Sequence, residues 1–284
     1  MDDIRTCTDL KSAIKAFRDA GKTIALVPTM GALHNGHMTL VEHARQYADI
    51  VVMSIFVNPT QFGPNEDFDA YPRDEKKDIA RMEGAGVDVA WMPSVEEMYP
   101  LGFSTAISVR RNADILCGAH REGHFDGVAT VVSKLLLQTM PDIAVFGQKD
   151  FQQLYIIKRL VADINIPISI IGAPIAREDD GLALSSRNAY LSEEDRCLAP
   201  ELFATLSTIK RRIEAGSDDS VELLAWGKEH LLEKGFDEVD YLELRQAETL
   251  DKAPIVLLSG GAYQLFVAAR LGKTRLIDNL AIDF

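Results

Sequence analysis

Two histidines mark the most chemically loaded stretch of this 284-residue chain. His34 and His37 stand in Pro28-Thr29-Met30-Gly31-Ala32-Leu33-His34-Asn35-Gly36-His37, between a short apolar run and a helical pattern. A helix start in that place presents unpaired backbone N–H groups and a positive dipole end to an anion. Gly31 and Gly36 have no Cβ and permit close backbone approach. Three residues apart on a first turn, both imidazoles can face one ligand. There they can donate to phosphate oxygens and to charge that develops in a transition state. The plainer reading is a pair of surface histidines on a capped helix; the position directly after a first strand favours the anion site. Zinc is disfavoured. His34 and His37, or Cys117 with His120 and His124, have ligand side chains, but no HExxH is present and Gly36 puts no carboxylate between the first pair.

Three further segments carry polar chemistry. Phe56-Val57-Asn58-Pro59-Thr60-Gln61-Phe62 ends a second apolar run. Its neutral amides, Asn58 and Gln61, suit a small substrate with hydroxyl and carboxylate groups, although Asn-Pro is also ordinary turn chemistry. Phe146-Gly147-Gln148-Lys149-Asp150-Phe151-Gln152-Gln153 ends another such run. Gly147 allows a nucleotide to approach, Lys149 offers a point charge for phosphates, and Asp150 can accept from ribose hydroxyls or cap a helix. Gln153, one turn on, would face the same cleft. Leu184-Ser185-Ser186-Arg187-Asn188 places hydroxyls and a guanidinium on a turn that can close over a triphosphate, or cap the next helix. The set points to a nucleotide site in the style of the HIGH-type nucleotidyltransferases. Neither a P-loop nor GxGxxG is present, which removes support for kinase and dehydrogenase readings.

The elements that must hold these residues alternate. Helical spacing of Leu10, Ile14 and Phe17 ends near Gly21. Apolar strand runs lie at Thr23–Val27, Ile50–Val57, Val87–Met92, Ile143–Phe146 and Ile168–Ile171. Helices are expected over Gly36–Ala48, from Pro72 to Ala85, over Val128–Leu137 and over Phe151–Asp163. This predicts an α/β chain with a Rossmann-like parallel sheet and helices on both faces, binding its ligand at the carboxyl ends of the strands. After Ile175 the pattern changes. Helical stretches at Ser192–Ala215 and Val221–Lys234 precede short alternating strands at Val239–Leu244, Ile255–Leu258, Gln264–Ala269 and Arg275–Ile277. A smaller C-terminal α+β domain is therefore expected, with residues 1–176 and 177–284 as the two domains, the second closing over the active site.

Composition limits the partners. Lys and Arg number 30 against 43 Asp and Glu, a formal charge of −13 that repels phosphate backbones. Lys210-Arg211-Arg212 is the densest basic run and reads as a solvated helix face, so nucleic acid is not an expected partner. The three cysteines, Cys7, Cys117 and Cys197, have no CxxC spacing. That fits a reducing compartment. No run approaches the roughly 18 apolar residues of a membrane span, and the acidic N-terminus is unlike a signal peptide. The expectation is a cytoplasmic protein with no membrane partner.

Val27–His37, Ser54–Phe62, Tyr71-Pro72-Arg73, Gly123-His124-Phe125, Val145–Leu154, Gly181–Tyr190, Ala268–Gly272 and Arg275–Asn279 together resemble the pantothenate synthetase (pantoate–β-alanine ligase) family over nearly the whole chain. The resemblance implies condensation of (R)-pantoate with β-alanine, using ATP with magnesium, through a pantoyl adenylate. It implies that Met30, Gly31, Ala32, Leu33, His34, Asn35, Gly36 and His37 line the ATP site, with His37 the usual candidate proton donor. Gly147, Gln148, Lys149, Asp150 and Ala176 would also contact ATP. Leu184, Ser185, Ser186 and Arg187 would close on it, with Ser185 and Arg187 gripping the triphosphate and Leu184 standing where many members have Met. Gln61 and Gln153 would hold pantoate, supported by Asn58, and Gln61 would approach β-alanine. Catalytic weight falls on His37, His34, Lys149 and Arg187. Glu122 stands where Pro is common before Gly123, beside Arg121 and His124. Lys77 precedes Asp78 where some members have paired acids, which leaves the magnesium ligands unassigned. Magnesium held mainly by phosphate oxygens and water is an ordinary arrangement. A homodimer is implied as well. Two other readings remain at this point: an adenylyltransferase for another acid or phosphate acceptor, and a non-catalytic nucleotide-binding protein.

Overall fold

The computed structural model describes every residue except 65, 217, 218, 255, 256, 258, 259 and 284, and not the side chain of 283. The described chain forms two compact units, Met1–Gln148 with Gln152–Pro174, and Lys149–Phe151 with Ile175–Phe284.

The first unit is built on six parallel strands. In chain order its elements are β1 (Asp2–Ile4), α1 (Cys7–Asp19), β2 (Ile24–Thr29), α2 (Asn35–Arg45), β3 (Ile50–Ile55), α3 (Glu75–Gly84), β4 (Val89–Trp91), α4 (Val95–Met98), α5 (Cys117–His120), α6 (His124–Thr139), β5 (Ile143–Gly147), α7 (Phe151–Asp163) and β6 (Ser169–Ala173). The strand order is β1-β4-β3-β2-β5-β6. Alternate residues of each strand feed opposite faces. Ile24 and Leu26 join Val52, Trp91 and Phe146 on the face covered by α1, α6 and α7. Ala25 and Val27 join Val51, Met53 and Val145 on the face covered by α2 and α3. Burial on both faces explains why these strands read as continuous apolar runs. The order reverses between β2 and β5, which pair Ala25 with Ile143. Loops leaving Thr29 and Gly147 therefore start side by side at a switch point, where open α/β sheets bind ligands.

The second unit contains α8 (Glu193–Leu198), α9 (Glu201–Glu214), α10 (Ser220–Glu233), β7 (Glu238–Gln246), β8 (Ala262–Leu271) and β9 (Thr274–Asp283). The three strands form an antiparallel sheet in the order β7-β8-β9. Leu202, Leu206 and Ile209 of α9 and Leu223 and Leu231 of α10 pack with Leu242, Leu265 and Val267 of the sheet into a separate core.

Several elements differ from the sequence expectations. Asp2–Ile4 forms an edge strand on β4 although two aspartates are poor strand formers; backbone pairing overrides that preference. Pro72 lies ahead of α3, not in its first turn. The helix starts after Asp74, whose side chain accepts from the Lys77 amide. The helix expected over 192–215 is two helices, interrupted at Ala199-Pro200, where proline supplies no N–H. The expected strand at Ile255–Leu258 lies outside the described residues, apart from Leu257. Among the described residues, no helix is long and apolar enough to cross a membrane.

Candidate active site

The loop after β2 has a conformation that its sequence dictates. Gly31 and Ala32 have φ of +83° and +50°. A Cβ on Gly31 would lie 3.0 Å from both Asp78 Oδ2 and Ile55 Cγ2, so sterics and φ both require glycine. Asp78, on α3 and 3% exposed, accepts from the Ala32 amide with Oδ2 at 2.9 Å and from the Leu33 amide with Oδ1 at 2.8 Å. Burial pushes its carboxyl above the ordinary range in spite of those two donors. Thr29 Oγ1 ties the start of the loop by accepting from the Gly31 amide and donating to the Ser54 carbonyl.

His34 is the N-cap of α2. Its Nδ1 accepts from the Gly36 amide at 3.1 Å, and His37 Nδ1 accepts from the His34 amide at 3.2 Å. The ring centroids are 4.1 Å apart. A nitrogen that accepts from a backbone N–H carries no proton, so each neutral ring holds its proton on Nε2. The cap thus prepares two Nε2–H donors at a helix N-terminus. Asn35 Oδ1 meanwhile accepts from Arg81.

Met30, Asn58 and Gln61 come together. Asn58, 1% exposed, donates from Nδ2 to Gln61 Oε1 and to the Gly127 carbonyl, each at 3.2 Å. Its Oδ1 accepts from the Tyr99 hydroxyl at 2.8 Å. Gln61 Nε2 points to Met30 Sδ at 3.0 Å. Asn58 is therefore taken up by protein partners and orients Gln61. The backbone is gripped as well. His124 Nδ1 lies 2.8 Å from the Gln61 carbonyl and its Nε2 lies 2.9 Å from Arg121, which is paired with Glu66 at 2.5 Å. A carbonyl only accepts and a guanidinium only donates, so His124 holds its proton on Nδ1, opposite to His34 and His37. Arg121 and His124 support this turn from behind.

Gly147 ends β5, and Gln148 Nε2 donates to the Gly172 carbonyl. Gln153 is half-buried on α7, and its side chain makes no hydrogen bond among the described residues. Its neighbour Gln152 is buried and accepts from the Cys117 amide while donating to the Asn112 and Ile115 carbonyls. The adjacent glutamines thus differ, and it is Gln152 that holds the loop.

In the second unit, Lys149 and Ser185 line one small concavity with Asn188 and Asp278. Ser185 caps the 3-10 turn Ser186–Tyr190, accepting from the Arg187 amide at 3.3 Å. The Ala176 carbonyl accepts from the Leu184 amide, which closes the turn that carries Leu184, Ser185, Ser186 and Arg187. Asp150 is exposed. No group of three or more His, Cys, Asp or Glu side chains that could hold a metal is present among the described residues. Cys7 is no nucleophile, because burial and the nearby Glu97 push its thiol up to about 11.

A family model described as Pantoate-beta-alanine ligase matches residues 2–281. The chain belongs to that family. It is 51% identical over 280 residues to the pantothenate synthetase of Paramagnetospirillum magneticum, covering 99% of this chain and 97% of the relative. It is 54% identical over 283 residues to that of Rhodospirillum rubrum, with 98% of each chain covered. The crystal structure of pantothenate synthetase from Thermus thermophilus superposes with a TM-score of 0.91 at 44% identity over 99% of each chain. That of the pantoate–β-alanine ligase from Francisella tularensis, complexed with beta-gamma ATP and β-alanine, superposes with a TM-score of 0.83 at 36% identity, covering 99% of this chain and 97% of the other.

Some supports of this ligase site escaped the sequence reading. In the sequence Asp78 raises only a question about metal, and nothing there singles out Tyr99 or Gly127, which lies just ahead of the helix expected over Val128–Leu137. A Cβ on Gly127 would lie 2.3 Å from the Thr60 carbonyl oxygen and 2.8 Å from Gln61 Cα. No local signal in the sequence identifies a glycine required by a turn sixty-odd residues away; only its place after His124-Phe125-Asp126 hints that it sits on a helix.

Proposed function

We propose that this ligase joins (R)-pantoate to β-alanine in two steps. The pantoate carboxylate attacks the α-phosphorus of ATP and pyrophosphate leaves, giving pantoyl adenylate. The β-alanine amine then attacks the acyl carbon, AMP leaves, and the nitrogen loses a proton. The observation that carries this reading is the pair of imidazoles whose Nδ1 atoms are both engaged by backbone amides at the start of α2. That arrangement aims Nε2–H donors where phosphate charge spreads, and such preorganised donors act most strongly on the transition state.

Roles follow from chemistry and placement. His34 and His37 stabilise the charge that moves onto pyrophosphate by hydrogen bonds from Nε2–H, and with Nδ1 engaged by a backbone amide the neutral His37 ring donates a hydrogen bond and gives up no proton. Lys149, Ser185 and Arg187 grip the triphosphate. Met30 to Leu33, Gly147, Asp150 and Ala176 contact the nucleotide, largely through backbone, and Leu184 supplies an apolar contact to the adenosine. Gln61 and Gln153 hold the pantoate hydroxyls, and Gln61 also guides β-alanine. Magnesium fits as an ion that arrives with ATP, held by phosphate oxygens and water. Both Asp78 oxygens are engaged by loop amides, and octahedral magnesium keeps several waters in such sites. We place the enzyme in the cytoplasm, consistent with its free cysteines, and as a homodimer; sedimentation at micromolar protein tests the latter.

Pyrophosphate–ATP isotope exchange with pantoate present and β-alanine absent tests the mechanism. Exchange that requires pantoate is expected, followed by release of AMP and pantothenate when β-alanine is added. ATP binding without pantoate-dependent exchange would overturn the substrate assignment and return the site to a different acid or phosphate acceptor.

A further inference from the structure

Lys149 is held from behind by a sheet that lies far from it in sequence. Asn279, on β9 and 3% exposed, donates from Nδ2 to the Lys149 carbonyl at 2.8 Å. That carbonyl can only accept, so the orientation of the Asn279 amide is set, and its Oδ1 faces away. There it accepts from Gln264 Nε2 at 2.6 Å. Gln264 is on β8, 5% exposed, and stands diagonal to Asn279, whose direct partner in the ladder is Phe266. Phe266 packs edge-on against Phe151, with ring centroids 5.6 Å apart. The turn 149–151 is thus attached at two points, an amide under Lys149 and a ring under Phe151. The neighbouring Asp278 accepts from the Asn279 amide at 2.7 Å and holds Arg177 in a bidentate pair at 2.6 and 2.9 Å. Arg177 also donates to the Gly181 carbonyl at 3.0 Å, at the base of the turn carrying Ser185 and Arg187. Two consecutive residues of one strand therefore brace both segments that bear cations for the triphosphate.

We propose that Asn279, oriented by Gln264, is a positioning residue for adenylation. It fixes the backbone of Lys149 and so the direction in which the ammonium is presented. The inference rests on the assignment of Lys149 to the triphosphate. Asn279 touches no substrate and acts through Lys149 alone, so its effect must vanish when Lys149 has no ammonium to aim.

A kinetic double-mutant cycle on the full-length enzyme tests this, read by pantoate-dependent pyrophosphate–ATP exchange. Asn279→Ala is expected to slow exchange by about 10- to 100-fold, the scale for misplacing a catalytic group by about an ångström, with the KM for pantoate unchanged. In the Lys149→Ala background the same substitution is expected to change the rate by less than about twofold, since residues that act as a unit are not additive. Gln264→Glu provides a second route if Asn279→Ala does not fold. A carboxylate there can only accept, so it draws the Asn279 Nδ2 toward itself and turns Oδ1 against the Lys149 carbonyl. Its loss of rate should also disappear in Lys149→Ala. Effects that multiply in the double variants would overturn the proposal and leave Asn279 a structural residue. Normal exchange by Lys149→Ala would overturn the assignment of Lys149, and the proposal with it. Slow exchange by Lys149→Ala beside normal exchange by Asn279→Ala and Gln264→Glu would overturn the proposal alone.

Discussion

His34 and His37 show how a common pair of side chains becomes specific. Each engages a backbone amide through Nδ1, so the helix cap and the donor function are one arrangement. His37→Ala should therefore slow adenylation by roughly 10²–10³-fold, the scale for removing one transition-state donor. Pantoate-dependent exchange measures this, and a rate near that of the unmodified enzyme would remove His37 from the chemistry. The tautomers are a separate, physical prediction. Nitrogen-15 NMR of the neutral enzyme should find His34 and His37 protonated on Nε2 and His124 protonated on Nδ1, as their partners require. The same tautomer in all three would contradict the hydrogen-bond assignment. Spacing made the first pair visible in the sequence. The role of His124 was not visible, because its partners Arg121 and Gln61 meet it through a buried turn.

At the scale of elements, the placement of the Asn58 and Gln61 amides depends on how closely α6 approaches the 3-10 turn Pro59–Gln61. Gly127 permits that approach, and its carbonyl receives Asn58 Nδ2. Gly127→Ala must move backbone against backbone, because the collision is with Thr60 and Gln61 main-chain atoms. The expected result is a loss of stability of about 1–3 kcal/mol, typical of overpacking, together with a raised KM for pantoate. Thermal melts and steady-state kinetics measure both, and an unchanged KM would show that the turn does not set the pantoate subsite. Helix and strand locations were legible because period and punctuation are local properties. β1 was hidden by its two aspartates, and the split between α8 and α9 by an apolar pattern that continues across Pro200.

For the whole molecule, the parallel sheet carries an acid-sensitive fastening. Asp142 accepts from the Ile24 amide at 2.7 Å and from Arg18 at 2.6 Å. Partial burial works against its charge, but those donors prevail and hold the carboxyl below the ordinary range. A carboxyl with a depressed folded pKa stabilises the native state above its unfolded pKa, about 3.9. That contribution is lost as pH falls through the folded value. Asp142→Asn should lower the melting temperature at pH 7 by more than it does at pH 3. An equal shift at both would show that the carboxylate's charge is irrelevant to the start of β2.

The amino-acid sequence by itself determined the alternating elements, the parallel sheet, the family and the side chains able to meet a nucleotide and a small acid. Each of those follows from local period, composition or a contiguous motif. Only the tertiary structure decided what the residues do for one another: that Asp78 holds the 30–33 loop, that Asn58 serves Gln61, and that Lys149 rests on Asn279. The first and last of those relations join positions tens to more than a hundred residues apart, and the second depends on α6 closing over a turn. The physical reason is that a buried polar group must find a partner, and which partner it finds depends on how the chain folds back, not on its neighbours in sequence.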